Sequence, residues 1–425
     1  METTGPECIY CKSYGPFDIE HVFPKGMGGD DQDFLLKDIV CEKCNNRFSA
    51  LEGSLMRSSP LGLSRLINQT VSKGNEKSPQ FNTTTNFVHD EESNSLLEAV
   101  YESGMKVTLL PQIIFKEKHL RFHAENSNEL VNFISKLNTF FDHENLEIAF
   151  KKADQKCKIF VVDTYEWIDN TYHKTSSRLE SKPPKKVIWF ELHLTKGEQP
   201  NATPFEPRIY KRKQGQISLK VCSESDLSLY LRATRLNFNE GLNTEKASIR
   251  EIKHPLILTE FTTNISEGDR AFAKMGINLI AHISGKEHAQ DPAFDSIKSS
   301  ILSGSPLLPM TMRAKNSDWA SDKMLGTPPE GHHALMLSPA VLSDGTIGIS
   351  FVAKIYGTDF GIALCQNAKK ETLKEPYFIL VNYNKHKIKV FKMNDYIKYS
   401  GAHNDTMIKA YIERYPIKLS KDFFK

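Results

Sequence analysis

The chain has no apolar run near the ~20 residues that a membrane span requires, and its first residues, METTGPEC, carry neither the basic nor the apolar region of a secretion signal. The expectation is therefore a cytoplasmic protein with no membrane partner. Cysteine is scarce as well: there are seven in 425 residues, and four of them fall within the first 44. A disulfide scaffold needs more of them, spread more evenly, so the bias points to metal. No sign of charge dominates, because the formal net charge is only +3. Residues 1–60 carry six Lys/Arg against ten Asp/Glu, a balance of −4, which leaves +7 on the remainder. Attraction for a polyanion must then come mainly from beyond the first segment. Internal repeats and long low-complexity tracts are absent too.

What is present is concentrated near the start. Cys8 and Cys11 are two residues apart, Cys41 and Cys44 likewise, with 29 residues between the pairs. Two such pairs converge readily on one tetrahedral Zn²⁺. The interval exceeds the roughly 15–20 residues of a plain zinc ribbon, so the extra chain, "FDIEHVFPKGMGGDD", must build something between the knuckles. After the second pair, Cys44, Phe48, Leu51 and Leu55 follow the i, i+4, i+7, i+11 rule for one buried helix face. Asn45 stands beside that stripe. Its amide oxygen and the Glu20 carboxylate are hard ligands suited to Mg²⁺ or Mn²⁺.

The run "CIYC…IEHVFPKGMGG…CEKCNNRF" resembles the zinc-containing HNH endonucleases of the ββα-metal fold, over about residues 8–56. The resemblance implies a structural zinc on Cys8, Cys11, Cys41 and Cys44, a catalytic cation on Glu20 and Asn45, and His21 as the general base that activates water. A histidine can accept a proton near neutral pH, which an ordinary carboxylate does poorly. Pro24, Gly28 and Gly29 match the family's loop after the histidine. Two departures stand out: Leu35 and Leu36 occupy the place of a central Asn, leaving Asp33 or Asp38 to hold the loop, and Glu20 stands where Asp is commoner.

The expected fold class is α+β, a small zinc-bound ββα-metal module followed by a larger mixed region with antiparallel strands. The expected division is 1–58 nuclease module with structural zinc, 59–94 linker or extended segment, 95–260 α+β domain and 261–425 helices plus antiparallel hairpins. Within the last part, "SEGDRAFAKMGINLIAHISG" reads as a helix capped by Ser266 and ended by Gly285, and a further helix is expected near "DTMIKAYIERY". Asp344-Gly345 and Gly357 to Asp359 read as hairpin turns. Cys157, Cys222 and Cys365 read as core residues, His332-His333 as a surface pair, and Arg47 as a phosphate contact or a solvated helix residue. The basic stretches 205–220 and 384–392 interleave cations with Tyr210 and Phe391, as nucleic-acid surfaces do.

The expected function is metal-dependent hydrolysis of DNA phosphodiester bonds, with double-stranded DNA as partner and bacterial restriction or antiphage defence as the setting. The C-terminal region would serve recognition or regulation, leaving room for a homo-oligomer and for a regulatory ligand or partner protein. The alternative is a non-catalytic, zinc-stabilised nucleic-acid-binding protein.

Overall fold

The computed structural model describes residues 6–69, 79–82, 85–102, 104, 106–117, 119–152, 159–193, 205–239, 250–252, 255–308, 311–313 and 325–401. They form a mixed α+β protein in two compact units. Unit 1 comprises 1–83, 102–105 and 261–425, and unit 2 comprises 84–101 and 106–260. The four-part division expected from the sequence is therefore not followed: the N-terminal segment shares one unit with the C-terminal region, and unit 2 is inserted between them. Residues 59–94 are no simple linker either, since they contain a helix and a strand.

Unit 1 opens with strands β1 (Phe17–His21) and β2 (Leu35–Cys41), an antiparallel pair, then helices α1 (Glu42–Arg57) and α2 (Pro60–Asn68). The pairing runs Phe17↔Cys41, Asp18↔Val40, Glu20↔Leu36 and His21↔Leu35, with an irregularity between Asp18 and Glu20. That irregularity turns Glu20 inward while Asp18 and Ile19 face solvent. α1 buries Cys44, Phe48, Leu51 and Leu55, the stripe its spacing predicts.

In unit 2 the strands are β3 (Thr85–Asp90), β4 (Ser95–Glu102), β5 (Lys106–Leu109), β6 (Gln112–Lys116) and β7 (His119–His123). Helix α3 (Ser127–Phe141) precedes β8 (Asn145–Lys151), β9 (Phe160–Ile168), β10 (Thr171–Glu180), β11 (Ile188–Leu192), β12 (Arg208–Lys211) and β13 (Ile217–Val221). Helix α4 (Leu227–Asn239) and β14 (Leu256–Glu260) complete it. An eight-stranded sheet has the order β10-β9-β8-β11-β13-β12-β6-β7, and a four-stranded sheet the order β14-β3-β4-β5. The pairing is mostly antiparallel, but β11 runs parallel to both β8 and β13. Phe133, Leu137 and Phe141 of α3 and Leu227 and Leu231 of α4 close one apolar face of the large sheet.

The chain returns to unit 1 with α5 (Ile265–Ile283), α6 (Lys286–Ala289) and α7 (Asp295–Ser303). The N-cap of α5 is Asn264, which accepts from Glu267 N at 3.3 Å, and not Ser266 as expected. Strands β15 (Thr311–Arg313), β16 (His332–Val341), β17 (Ile347–Ile355), β18 (Thr358–Cys365), β19 (Tyr377–Asn382) and β20 (Lys387–Lys392) form an antiparallel sheet in the order β15-β18-β17-β16-β19-β20, followed by α8 (Met393–Gly401). The expected turn at Asp344-Gly345 lies between β16 and β17, and the one expected over Gly357 to Asp359 keeps only Gly357 between strands, because Thr358 and Asp359 already belong to β18; the helix expected near "DTMIKAYIERY" lies outside the described residues, as does Cys157.

Every residue of α5 from Ala271 to Ala281 is buried. Such an all-round buried helix is a core element, and this one shares a single apolar cluster with Phe48 and Leu51 of α1 and with Phe351 and Ile379 of the sheet. Among the described residues, no helix is long and apolar enough to cross a membrane.

Candidate metal centre and its surroundings

The Cys8–Cys11 turn is closed by Cys8 N donating to Ser13 O at 2.8 Å and Lys12 N donating to Cys8 O at 3.0 Å. Ile9 N donates to Ile39 O at 3.1 Å and ties the turn to β2. Cys41 ends β2 and caps α1, and Cys44 sits in the first turn of that helix. The four sulfurs lie within 4.8 Å of one another, with Cys11 Sγ and Cys41 Sγ 3.4 Å apart. Four thiolates about 2.3 Å from a central Zn²⁺ would stand about 3.8 Å apart, so the donor set and spacing fit a tetrahedral metal. The sulfurs are too close to ionise independently. Hydrogen bonding with Cys44 leads the causes that pull the Cys8 thiol down to about 4, and the bond to Cys8 pushes Cys44 up. A metal removes that conflict by binding all four as thiolates.

Glu20 is not placed as the resemblance implies. It is 3% exposed, and its carboxylate is ion-paired with Lys274 of α5, itself fully buried. Asn278, one turn further along α5, donates to Glu20 Oε1 at 3.1 Å. Lys274 also meets Glu52 Oε1 of α1 at 2.6 Å. Burial alone would drive Lys274 toward the neutral amine, but Glu20 and Glu52 outweigh it and hold its pKa above the usual lysine range. With Lys274 and Asn278 as its partners, the Glu20 carboxylate does not fit a ligand for a divalent cation.

Asn45 departs from expectation as well. Its Nδ2 donates to Asp18 Oδ2 at 2.9 Å and to Ile19 O at 3.2 Å, so the amide nitrogen, not the oxygen, faces the strand. The Glu20–Asn45 cation site is not assembled, and Glu20 and Asn45 meet different partners. Arg47 is exposed, as a solvated helix residue would be, and donates to Leu302 O at 2.7 Å.

His21 is half-buried at the end of β1, and its Nε2 lies 2.8 Å from Asp31 Oδ1. Asp31 also pairs with Lys25. Burial would raise the Asp31 carboxyl, but hydrogen bonds from Lys25 and His21 prevail and hold it below the usual carboxylate range. An ionised carboxylate only accepts, so Nε2 carries the proton and Nδ1 is left as the basic nitrogen. Asp31 was not singled out from the sequence; its signal was the acidic pair closing "PKGMGGDD". The loop is held by Asp30, whose Oδ1 accepts from Gln32 N at 2.6 Å and Asp33 N at 3.1 Å, rather than by the side chain of Asp33 or Asp38. Gly28 has φ +101°, and a Cβ there would fall 2.5 Å from the Tyr383 Cα, which explains glycine at that position.

Other expected features resolve differently. His333 is fully buried, not on the surface, with its ring 4.4 Å from that of Tyr356 and 4.7 Å from that of Tyr383. Burial pushes its pKa down to about 3. In the stretch 205–220 four of the five cations are committed internally, Lys213 being exposed: fully buried Arg208 donates to Leu96 O and Glu206 O, Lys220 pairs with Glu98 at 2.7 Å, Lys211 with Glu129 at 2.9 Å and Arg212 with Glu191 at 2.6 Å. Tyr210 is buried among them. In 384–392, Lys392 pairs with Glu375 and Phe391 packs on Tyr396 and Tyr399, while Lys385, Lys387 and Lys389 are exposed. Cys365 is buried as expected; Cys222 is exposed. No family model, no curated protein and no solved structure matches this chain.

Proposed function

We propose that this chain is a zinc-stabilised endonuclease of the HNH kind that hydrolyses DNA, with His21 as the general base. The observation that supports this reading is the His21–Asp31 pair at 2.8 Å, on a hairpin that the four-cysteine cluster ties to α1. Asp31 holds the tautomer in which Nδ1 accepts a proton from water as its oxygen attacks phosphorus. The phosphorus–oxygen bond to the leaving strand end then breaks, and that oxygen takes a proton from solvent.

The zinc would keep hairpin and helix in register and take no part in the reaction. No step is assigned to a second cation, because Glu20 and Asn45 do not converge on one. The exposed Lys385, Lys387 and Lys389 lie in or beside a hairpin whose His386 Nδ1 is 3.3 Å from Gly29 O, the loop that follows His21. They supply cations for a phosphate backbone. The setting in restriction or antiphage defence is carried over from the resemblance.

The commitment of Glu20 to Lys274 favours the second reading, a zinc-stabilised nucleic-acid-binding protein without catalysis. Incubating the full chain with plasmid and single-stranded DNA in Mg²⁺, Mn²⁺ or EDTA separates the two. Nicked or linear product that disappears in His21→Ala supports the nuclease; tight binding with intact DNA under every condition supports the binding protein.

A further inference from the structure

The carbonyl of His21 receives two hydrogen bonds, from Asn278 Nδ2 and from Lys274 Nζ, both at 3.1 Å. Both donors stand on α5, one turn apart, and both are fully buried. Their own orientations are fixed in turn. Tyr10 OH donates to Asn278 Oδ1 at 2.7 Å, so the amide must aim its nitrogen at Glu20 and His21. Lys274 is held between Glu20 and Glu52. A buried carbonyl can be satisfied by one donor; here two rigid donors grip the main chain of one residue at the end of a two-stranded hairpin.

We infer that Lys274 and Asn278 are positioning residues for His21, so that the candidate active site is completed by a helix more than 250 residues away in the sequence. The inference rests on the endonuclease reading for its catalytic consequence, but not for its geometry. Glu20, in this assignment, is the anchor that recruits α5 rather than a ligand for a catalytic cation. A displacement of the base by about 1 Å is enough to cost about 10²-fold in rate, and loss of one of the two donors frees the end of β1 to move by that order.

The test uses the full chain carrying Asn278→Ala, with Asn278→Leu, of similar volume, in reserve if the smaller residue leaves the core unfolded. Tyr396→Phe is the control, since it removes a buried hydrogen bond of the same unit, to Leu325 O at 2.8 Å, that takes no part in holding His21. Zinc content, DNA dissociation constant and single-turnover cleavage are measured together, and diethyl pyrocarbonate labelling of His21 is followed by peptide mass spectrometry. The expected result is one zinc per chain and unchanged DNA affinity, with cleavage slower by about 10- to 100-fold in the Asn278 variant and within about threefold of wild type in Tyr396→Phe. Labelling of His21 should rise several-fold only in the Asn278 variant. Wild-type cleavage or wild-type labelling in the zinc-loaded Asn278 variant overturns the inference, and so does an equal loss in Tyr396→Phe. If wild type does not cut DNA but the labelling change is present, the positioning role stands and the nuclease reading fails.

Discussion

Lys274 and Glu20 form a buried ion pair between α5 and the first strand, residues 254 positions apart in the chain, with the lysine fully buried and the carboxylate 3% exposed. Each is costly to bury alone and tolerable only with the other. The pair therefore joins the N-terminal hairpin to the C-terminal region of unit 1.

Removing one member should show this directly. Lys274→Met leaves Glu20 and Glu52 without their shared cation and should cost about 3–5 kcal/mol in urea unfolding. Adding Glu20→Leu should recover part of the loss, because one unpaired buried charge disappears with it. If the double variant is no more stable than the single one, the pair is not what binds the two segments.

Zinc loss should reach beyond the first 60 residues. Cys8, Cys41 and Cys44 belong to the same apolar cluster as α5 and the six-stranded sheet. The purified chain should carry one equivalent of zinc, and Cys11→Ser or a strong chelator should lower the melting temperature of unit 1 as a whole. Elemental analysis and calorimetry measure both quantities; less than half an equivalent of zinc in protein whose hairpin remains folded would contradict the assignment.

His21→Ala should reduce cleavage by about 10²- to 10⁴-fold, the usual contribution of a positioned base, while zinc content and DNA affinity stay near wild type. Asp31→Asn removes the ionised acceptor that sets the tautomer, together with the ion pair to Lys25, and should cost up to about 10⁴-fold. Equal rates for wild type and His21→Ala, with zinc bound, would reject His21 as the base.

His333 supplies a pH test. Its pKa is about 3 in the folded chain because of burial, against an ordinary value near 6.5. The unfolded chain therefore binds the extra proton first, and the folded state loses stability as pH falls from about 6.5 toward 3, by up to about 1.4 kcal/mol per pH unit from this group. His333→Phe, which keeps a ring beside Tyr356 and Tyr383, should flatten the stability curve over that range. Parallel curves for variant and wild type would show that the imidazole takes up its proton alike in both states and that burial does not hold its pKa down.

Local order was legible in the sequence wherever neighbouring residues decide it. The cysteine pairs needed only their two-residue spacing to mark a four-cysteine cluster, and the α1 stripe followed from helical period. The turns at Asp344-Gly345 and at Gly357 followed from the backbone freedom of glycine, which has φ of +83° and +82° there. The roles of Glu20, His333 and Arg208 were not legible. The ionic state and partners of a side chain depend on burial and on opposing charges that the fold brings from elsewhere. Only the tertiary structure set Lys274 against Glu20, turned Asn45 toward Asp18 and put Asp31 on His21. The sequence determined which groups are available for chemistry near its start; packing against α5 decided which of them are spent holding the fold, because a buried charge must be neutralised before it can do anything else.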